Sequence, residues 1–162
     1  MHAAIRLAAA ADREALQRLI NEAFVVERLI KKSGGDRLDA AGRELDELFA
    51  RGTFLVCEEN GELAACVYLE PRGDHYYLGL LSVCPHRQGS GLGRQMALAS
   101  EEFAKERGGQ RIDLRVVSPR RDELVPFYAK LGYTEQGTQD YPPELAAEME
   151  LPGHFILMAK EL

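Results

Sequence analysis

Gln88-Gly89-Ser90-Gly91-Leu92-Gly93-Arg94 is a glycine-rich stretch in the middle of the chain, with three glycines in five residues. The segment before it, residues 76–83, is apolar, and its length and its aromatic and aliphatic content predict a buried strand. The segment after it carries apolar residues at spacings of four, three and four, namely Leu92, Met96, Ala99 and Phe103. That spacing places them on one face of a helix. The glycines therefore lie where a strand leads into the N-terminus of a helix.

A glycine-rich loop at the start of a helix can bind a phosphate group. The first turn of a helix has backbone N–H groups without internal partners and carries the positive end of the helix dipole. Glycines lack the Cβ atoms that would keep a bulky anion away, so the loop would form a cradle for phosphate oxygens. Gln88 and Arg94 flank the cradle and add donors. The alternative is a tight turn that is merely rich in small residues.

Two familiar phosphate-binding loops do not fit the stretch. A P-loop requires Gly-Lys-Ser/Thr at its end, whereas Gly93 is followed by Arg94-Gln95. A dinucleotide-binding fingerprint requires a third glycine three residues after the second, and the available positions hold Arg94 and Met96. That fingerprint also normally opens the first strand–helix unit of a domain, while this loop lies mid-chain.

Length and composition indicate one globular domain over residues 1–162. Hydrophobic residues make up 46% of the chain and charged residues 28%, which are ordinary values. The net charge of −6 disfavours a nucleic-acid-binding protein, which would normally carry a basic stripe. There is no apolar run of about 18 residues and no basic-then-apolar N-terminus, so we expect neither a membrane-spanning helix nor a signal peptide. These observations predict a cytosolic protein that binds neither nucleic acid nor membrane.

The cysteines agree with that compartment. There are three of them, Cys57, Cys66 and Cys84, and an odd number of cysteines in a cytosolic protein predicts reduced thiols. Neither a Cys-x-x-Cys motif nor a cluster of histidines occurs, so we expect no metal.

The order of predicted elements is β-α-α-β-β-β-α-β-α-β-β. Strands are expected at residues 3–7, 53–57, 62–70, 76–83, 111–117, from 133 onward and at 154–162. Helices are expected after the N-cap residue Asp12, over 38–50 and after the glycine-rich stretch. A further helix is expected with Ser118 as its N-cap and Pro119 as its first residue. Asn60-Gly61 is typical of a type I′ hairpin turn. A helix joins strands 76–83 and 111–117, so these two should be parallel. We therefore predict an α/β fold with a mixed sheet and helices on both faces.

Two motifs resemble signatures of the GCN5-related N-acetyltransferases, the GNAT family. The acetyl-coenzyme A signature of that family, Gln/Arg-x-x-Gly-x-Gly/Ala after a strand, is matched by Gln88, Gly91 and Gly93. A second signature, a tyrosine before x-x-Leu-Gly-Phe/Tyr, is matched from Tyr128 to Tyr133. The order of elements is also that of the family, so the resemblance spans the whole chain.

The resemblance implies an N-acetyltransferase that uses acetyl-coenzyme A (acetyl-CoA) as co-substrate and moves its acetyl group to a primary amine by direct attack in a ternary complex, without a metal. The pantetheine arm would lie between strands 76–83 and 111–117, where a backbone N–H would polarise the thioester carbonyl. The implied cofactor-binding residues are Leu81, Ser82, Val83, Gln88, Gly89, Ser90, Gly91, Leu92, Gly93 and Arg94.

Tyr128 is the implied general acid, which would return a proton to the departing thiolate. A phenol with a pKa of about 10 is suited to that task. The alternative is a core tyrosine, because Tyr128 shares a helix face with Leu124 and Leu131. The family often has an asparagine seven residues earlier, where this chain has Arg121; Arg120 or Arg121 would instead meet the 3′-phosphate of the cofactor or be solvated.

The acceptor implied is a small-molecule or peptide amine, and a homodimer is a possible assembly. A base must take up the proton of the amine, and the candidates are Glu27, Glu70, His75 and His154. Segment 138–154 is acidic through Glu144, Glu148 and Glu150, which predicts that it receives a positively charged amine. Two alternatives keep the fold: a transferase that uses a longer acyl-CoA, and a non-catalytic acyl-CoA sensor or partner-binding domain.

Overall fold

The computed structural model describes residues 4–24, 37–38 and 42–162. Within these ranges the strands are β1 (Ala4–Leu7), β2 (Thr53–Glu59), β3 (Glu62–Arg72), β4 (His75–Val83), β5 (Arg111–Val117), β6 (Thr134–Asp140) and β7 (His154–Glu161). The α-helices are α1 (Arg13–Ala23), α2 (Arg43–Arg51), α3 (Leu92–Glu106), α4 (Arg121–Lys130) and α5 (Pro143–Glu148). None of these helices combines the length and apolarity required to cross a bilayer. The candidate base Glu27 lies outside the described residues.

The seven strands form one mixed sheet, which confirms the predicted fold class. Their order is β1-β2-β3-β4-β5-β7-β6. Only β4 and β5 pair in parallel, as the helix between them predicted, and the other neighbouring strands are antiparallel. The last strand, β7, lies between β5 and β6, so the end of the chain closes the sheet beside the parallel pair.

Helices cover both faces of the sheet. On one face Phe49 of α2 packs against Phe54, whose ring also contacts Tyr68. On the opposite face Phe103 of α3 meets Tyr76 of β4, with ring centroids 6.1 Å apart. The central strands β2 and β3 are buried between these layers, which explains why their sequences are almost continuously apolar.

A bulge interrupts β4 close to the point where this strand diverges from β5. The β3–β4 register shifts between Cys66, paired with Ser82, and Tyr68, paired with Gly79. Leu80 lies within this shift and has a φ of 50°, a left-handed conformation that costs a non-glycine residue about 1–2 kcal/mol. The β4–β5 ladder consists of residues 76 and 77 paired with 112 and 113, beyond which the strands diverge. The bulge therefore accompanies a gap between two adjacent parallel strands.

The two residues predicted to cap helices make other side-chain contacts. Asp12 is the N-cap residue of α1, as predicted, but its side chain forms no hydrogen bond to that helix. The prediction for Ser118 was wrong, because the N-cap residue of α4 is Arg120. Asp12 accepts hydrogen bonds from Arg6, at 2.8 and 3.1 Å, and from the backbone N–H of Ala9, instead of from α1. The Ser118 hydroxyl accepts the backbone N–H of His154 at 3.1 Å. Ser118 therefore joins the segment before α4 to the start of β7.

The acidic segment 138–154 contains a helix, α5, that the sequence analysis did not predict. This short helix begins at Pro143, a residue suited to the first helical position. It packs through Leu145 beside a small apolar cluster of Tyr141, Met149 and Phe155. The cluster holds the acidic helix against the face of the sheet that borders the gap.

A partly buried ion pair connects β7, α3 and the residue that follows α4. Lys160 Nζ of β7 lies 2.7 Å from Glu101 Oε1 of α3 and donates to the Leu131 carbonyl at 2.7 Å. The Glu101 side chain is only 9% exposed. The pair therefore fixes the end of α4 relative to α3 and β7.

We expect Lys160→Met to lower the free energy of unfolding by about 3 kcal/mol, because it leaves the Glu101 carboxylate buried without its partner. For a domain of this size that is a fall in Tm of roughly 6 to 12 °C. Thermal denaturation checks it, and adding Glu101→Leu should restore most of the loss. A single variant as stable as the wild type would contradict this role for the pair.

Candidate active site

A cavity of about 870 Å³ lies where β4 and β5 diverge. Its walls are formed by the glycine-rich loop, the two strands, α4 and α5. Tyr77 and Leu78 both line it although successive residues of a strand point to opposite faces. The cavity therefore reaches from one face of the sheet to the other through the gap.

The glycine-rich loop forms one end of the cavity. Gly91 is the N-cap of α3, with a φ of 88°, and Gly89 has a φ of 80°. A Cβ built at either position would meet no atom within 4 Å, so the space above both backbones is open. This is the geometry of a cradle in which helix N–H groups can approach an anion.

Side chains around the loop separate into paired and unpaired groups. Arg87 is held by Glu59 at 2.8 and 3.0 Å, and the Gln88 amide donates to the Val83 carbonyl at 3.1 Å. Arg94 lines the cavity and has no carboxylate within ion-pair distance among residues 4–24, 37–38 and 42–162. Arg94 is thus the arginine of the loop that remains available to a bound anion.

Most of the predicted cofactor-binding residues line this cavity. They are Leu81, Val83, Gln88, Gly89, Gly91, Gly93 and Arg94. The three that do not are Ser82, Ser90 and Leu92. The Ser82 hydroxyl donates to the Leu80 carbonyl and the Ser90 hydroxyl to the Arg87 carbonyl. Leu92 is buried in the core. The side chains of Ser82 and Leu92 are buried, so any contact of these two with a ligand would be made by the backbone.

The edge of β4 that faces β5 carries free backbone groups. Beyond Tyr77 no strand pairs with this edge in the described part of the chain. Leu80, Leu81 and Val83 border the cavity there. Backbone N–H and C=O groups along such an edge need partners, and an extended ligand can supply them.

Tyr128 lies on α4 in the wall of the cavity and is 8% exposed. Its ring packs against those of Phe127 and Tyr133, with centroids 5.0 and 5.7 Å away. Burial, and secondarily the neighbouring Tyr77, raise the pKa of the Tyr128 phenol above its ordinary value. Its hydroxyl has no hydrogen-bond partner within the described ranges. It is therefore a protonated donor without a partner among the described residues.

The two arginines before Tyr128 occupy different environments. Arg121, which stands where the family often has asparagine, pairs with Glu135 at 2.8 and 3.2 Å and does not line the cavity. Arg120 does line it, bonded to Glu123 at 3.0 Å. Of the two, only Arg120 could meet a ligand in the cavity.

The predicted base candidates that are described do not line the cavity. Glu70 accepts from Tyr68 and Arg72, at 2.8 and 2.7 Å. His75 lies between Asp74 and Asp113, and His154 is likewise away from the cavity walls. The described carboxylates that do line the cavity are Glu44, Glu123, Glu144 and Glu148.

Glu44 and Glu123 were missed by the sequence analysis. Glu44 is on α2 and Glu123 on α4, and on a helix such residues are indistinguishable in sequence from ordinary surface charges. Each is paired with an arginine that also lines the cavity, Arg37 and Arg120 respectively.

Comparisons with known proteins bear on the fold and the family of this chain. A sequence model of the Acetyltransferase (GNAT) family matches residues 13–133. Among solved structures, the ribosomal-protein-S18-alanine N-acetyltransferase of Escherichia coli shares 19% identity over 99% of this chain and 94% of its own, with a TM-score of 0.77. An acetyltransferase of Bacillus subtilis in complex with CoA shares 20% identity over 99% of both chains, at a TM-score of 0.74. A GNAT-family acetyltransferase of Staphylococcus aureus shares 16% identity over 99% of both chains, at a TM-score of 0.75.

At these sequence identities the solved structures establish the fold, and the match to the family model establishes the family. The matched segment contains the glycine-rich loop, the diverging strands and Tyr128. The chain therefore belongs to the acetyltransferase (GNAT) family, whose members are acyl-CoA-dependent N-acetyltransferases.

Proposed function

We propose that this protein transfers the acetyl group of acetyl-CoA to a primary amine by direct attack, and that residues 1–162 form one catalytic domain. The observation that carries the proposal is the gap between β4 and β5, with an open glycine cradle at one end and Tyr128 in its wall. A donor and an acceptor can enter such a gap from opposite faces of the sheet. No covalent intermediate on the protein is then required.

The residues at the cradle fit the phosphates of a coenzyme A. The amides around Gly89 and Gly91 and the N-terminus of the 15-residue α3 would hold the pyrophosphate, with Arg94 as counter-charge. The unpaired edge of β4 at Leu81 and Val83 would bind the pantetheine arm as an added strand. Bound acetyl-CoA supplies the activated acyl group.

Tyr128 would act as general acid. Its raised pKa keeps the phenol protonated over the ordinary pH range, and its hydroxyl is free to donate toward a leaving thiolate. Backbone N–H groups at the β4 bulge would polarise the acyl carbonyl. Together these groups would supply a proton donor and an oxyanion stabiliser to one reacting centre.

The acceptor end favours a cationic amine. Glu144 and Glu148, one turn apart on α5, both line the cavity, and within the described residues neither forms an ion pair. Carboxylates at the mouth raise the local concentration of cations. This supports the prediction that the acidic segment attracts the ammonium form of the acceptor.

We expect Glu144→Gln combined with Glu148→Gln to raise KM for a cationic amine by about 3- to 10-fold with little change in kcat, because two partly solvated charges are lost. Steady-state kinetics check this, and the effect should shrink at high salt. Glu150→Gln is the matched control, because Glu150 belongs to the same acidic segment but does not line the cavity. Unchanged KM in the double variant would remove α5 from acceptor binding.

Acetylation assays on a panel of amines test the proposal. Mass spectrometry should find the acetyl group on the amine nitrogen, with one free CoA thiol released for each. Transfer of longer acyl groups in preference to acetyl would support the alternative donor. Binding of acyl-CoA without transfer to any amine would support the sensor alternative and overturn the proposal.

A further inference from the structure

The cavity contains an arginine at its acceptor end that the proposed chemistry does not use. Among the described residues, five arginines line the cavity: Arg37, Arg87, Arg94, Arg115 and Arg120. Three of them are bonded to glutamates, namely Arg37, Arg87 and Arg120. In the ranges that the structure describes, Arg94 and Arg115 have no such partner. Arg94 lies at the phosphate cradle, so Arg115 is left without an assigned function.

Arg115 is held by aromatic rings in the wall of the cavity. Its guanidinium carbon lies 4.2 Å from the ring centroid of Phe155 and 5.7 Å from that of Tyr77. Both rings line the cavity. Stacking on ring faces orients the flat guanidinium while leaving its N–H donors at the edge free. Arg115 is an exposed residue of β5, so these donors can reach a ligand in the cavity.

The position of Arg115 along β5 places it near the reacting centre. Tyr77 and Asp113 are the last paired residues of the β4–β5 ladder. Arg115 is two residues beyond Asp113, which is about 7 Å along a strand, and therefore lies just inside the gap. Tyr77 is its neighbour there, and Tyr128 lines the same cavity. A small acceptor could thus reach both Arg115 and the acyl carbon.

We propose that the acceptor carries a carboxylate in addition to its amine, as an amino acid or a peptide does, and that Arg115 binds this carboxylate. The inference rests on the proposed function and names its substrate class. A guanidinium oriented by stacking presents two coplanar N–H donors, which match a carboxylate in a bidentate pair. The carboxylates of Glu144 and Glu148 at the same end suit the ammonium group of such a molecule. An acceptor with both charges satisfies both sets of side chains.

Matched pairs of amines that differ only by the carboxylate test this inference. The pairs are alanine with ethylamine, phenylalanine with 2-phenylethylamine, and lysine with 1,5-diaminopentane, each assayed with acetyl-CoA. For at least one pair we expect the carboxylated member to have a kcat/KM about 10- to 100-fold higher. Arg115→Gln should remove that preference while leaving the other member within about two-fold of its wild-type value, and Arg115→Lys should restore only part of it.

Arg111→Gln is the matched control, because Arg111 is on the same strand, is bonded to Asp113 at 2.7 and 3.1 Å and does not line the cavity. It should keep the preference. Turnover of the amines without a carboxylate in preference to their partners would overturn the inference and leave the proposed function standing. The inference would likewise be overturned, and the proposed function left standing, if Arg115→Gln lowered kcat/KM equally for both members of a pair. Acetyl-CoA binding without acetylation of any of these compounds also overturns the inference, whereas absence of acetyl-CoA binding would overturn the proposed function itself.

Discussion

Gly91→Glu is expected to weaken acetyl-CoA binding by at least about 100-fold. A side chain at Gly91 would enter the open space above the loop, where the structure offers helix N–H groups to an anion. A carboxylate there both fills the cradle and repels the phosphates, and like charges placed together cost several kcal/mol. Isothermal titration calorimetry with acetyl-CoA measures the effect.

The control for Gly91→Glu must carry the same backbone strain and the same charge. Gly108 follows the other end of α3, has a φ of 79°, and a Cβ built on it also meets no atom within 4 Å. Gly108→Glu therefore imposes a similar cost of about 1–2 kcal/mol on folding, far from the cavity. It should bind acetyl-CoA as the wild type does. Equal affinities in the two variants would show that the glycine-rich loop is only a turn.

Tyr128→Phe is expected to lower kcat by about 10²- to 10⁴-fold, the usual contribution of a positioned general acid. The variant keeps the ring that packs against Phe127 and Tyr133 and removes only the hydroxyl, so acetyl-CoA should still bind. Rapid-quench measurement of the transfer step, together with calorimetry, separates the two effects.

Tyr133→Phe is the matched control, because Tyr133 is also buried and touches the Tyr128 ring but does not line the cavity. Its kcat should be unchanged. The pH profile is a second readout: burial raises the pKa of Tyr128, so the donor stays protonated and kcat/KM should show no descending limb from it below about pH 10. A fully active Tyr128→Phe would assign the proton transfer to another group.

The features that could be predicted from the sequence are those that depend on residues close together along the chain. The positive φ angles of Gly89 and Gly91 require glycine, and the turn at Asn60-Gly61 has both residues in the left-handed region as predicted. The parallel pairing of β4 and β5 follows from the helix between them. The glycine-rich loop could therefore be located at a strand-to-helix junction from the sequence. The expectation that Tyr128 lies near it came from the resemblance to the GNAT family.

Features that depend on tertiary contacts could not be predicted. The bulge falls on Leu80, a residue with no preference for a positive φ, because the strain is imposed by pairing with β3. Ser118 was expected to cap a helix, but its hydroxyl is taken by His154, which is 36 residues away. The assignment of Arg115 to the cavity likewise depends on Phe155, which reaches it only because β7 pairs with β5.

Thermal denaturation with and without saturating acetyl-CoA, on the wild type and on Gly91→Glu, tests most directly whether the cavity between β4 and β5 is the donor site. A ligand present at about a hundred times its dissociation constant stabilises a protein by roughly 2.7 kcal/mol. The wild type should therefore gain roughly 5 to 11 °C in Tm, and Gly91→Glu should gain none. No gain in the wild type, or the same gain in both proteins, would contradict the assignment of acetyl-CoA to this cavity.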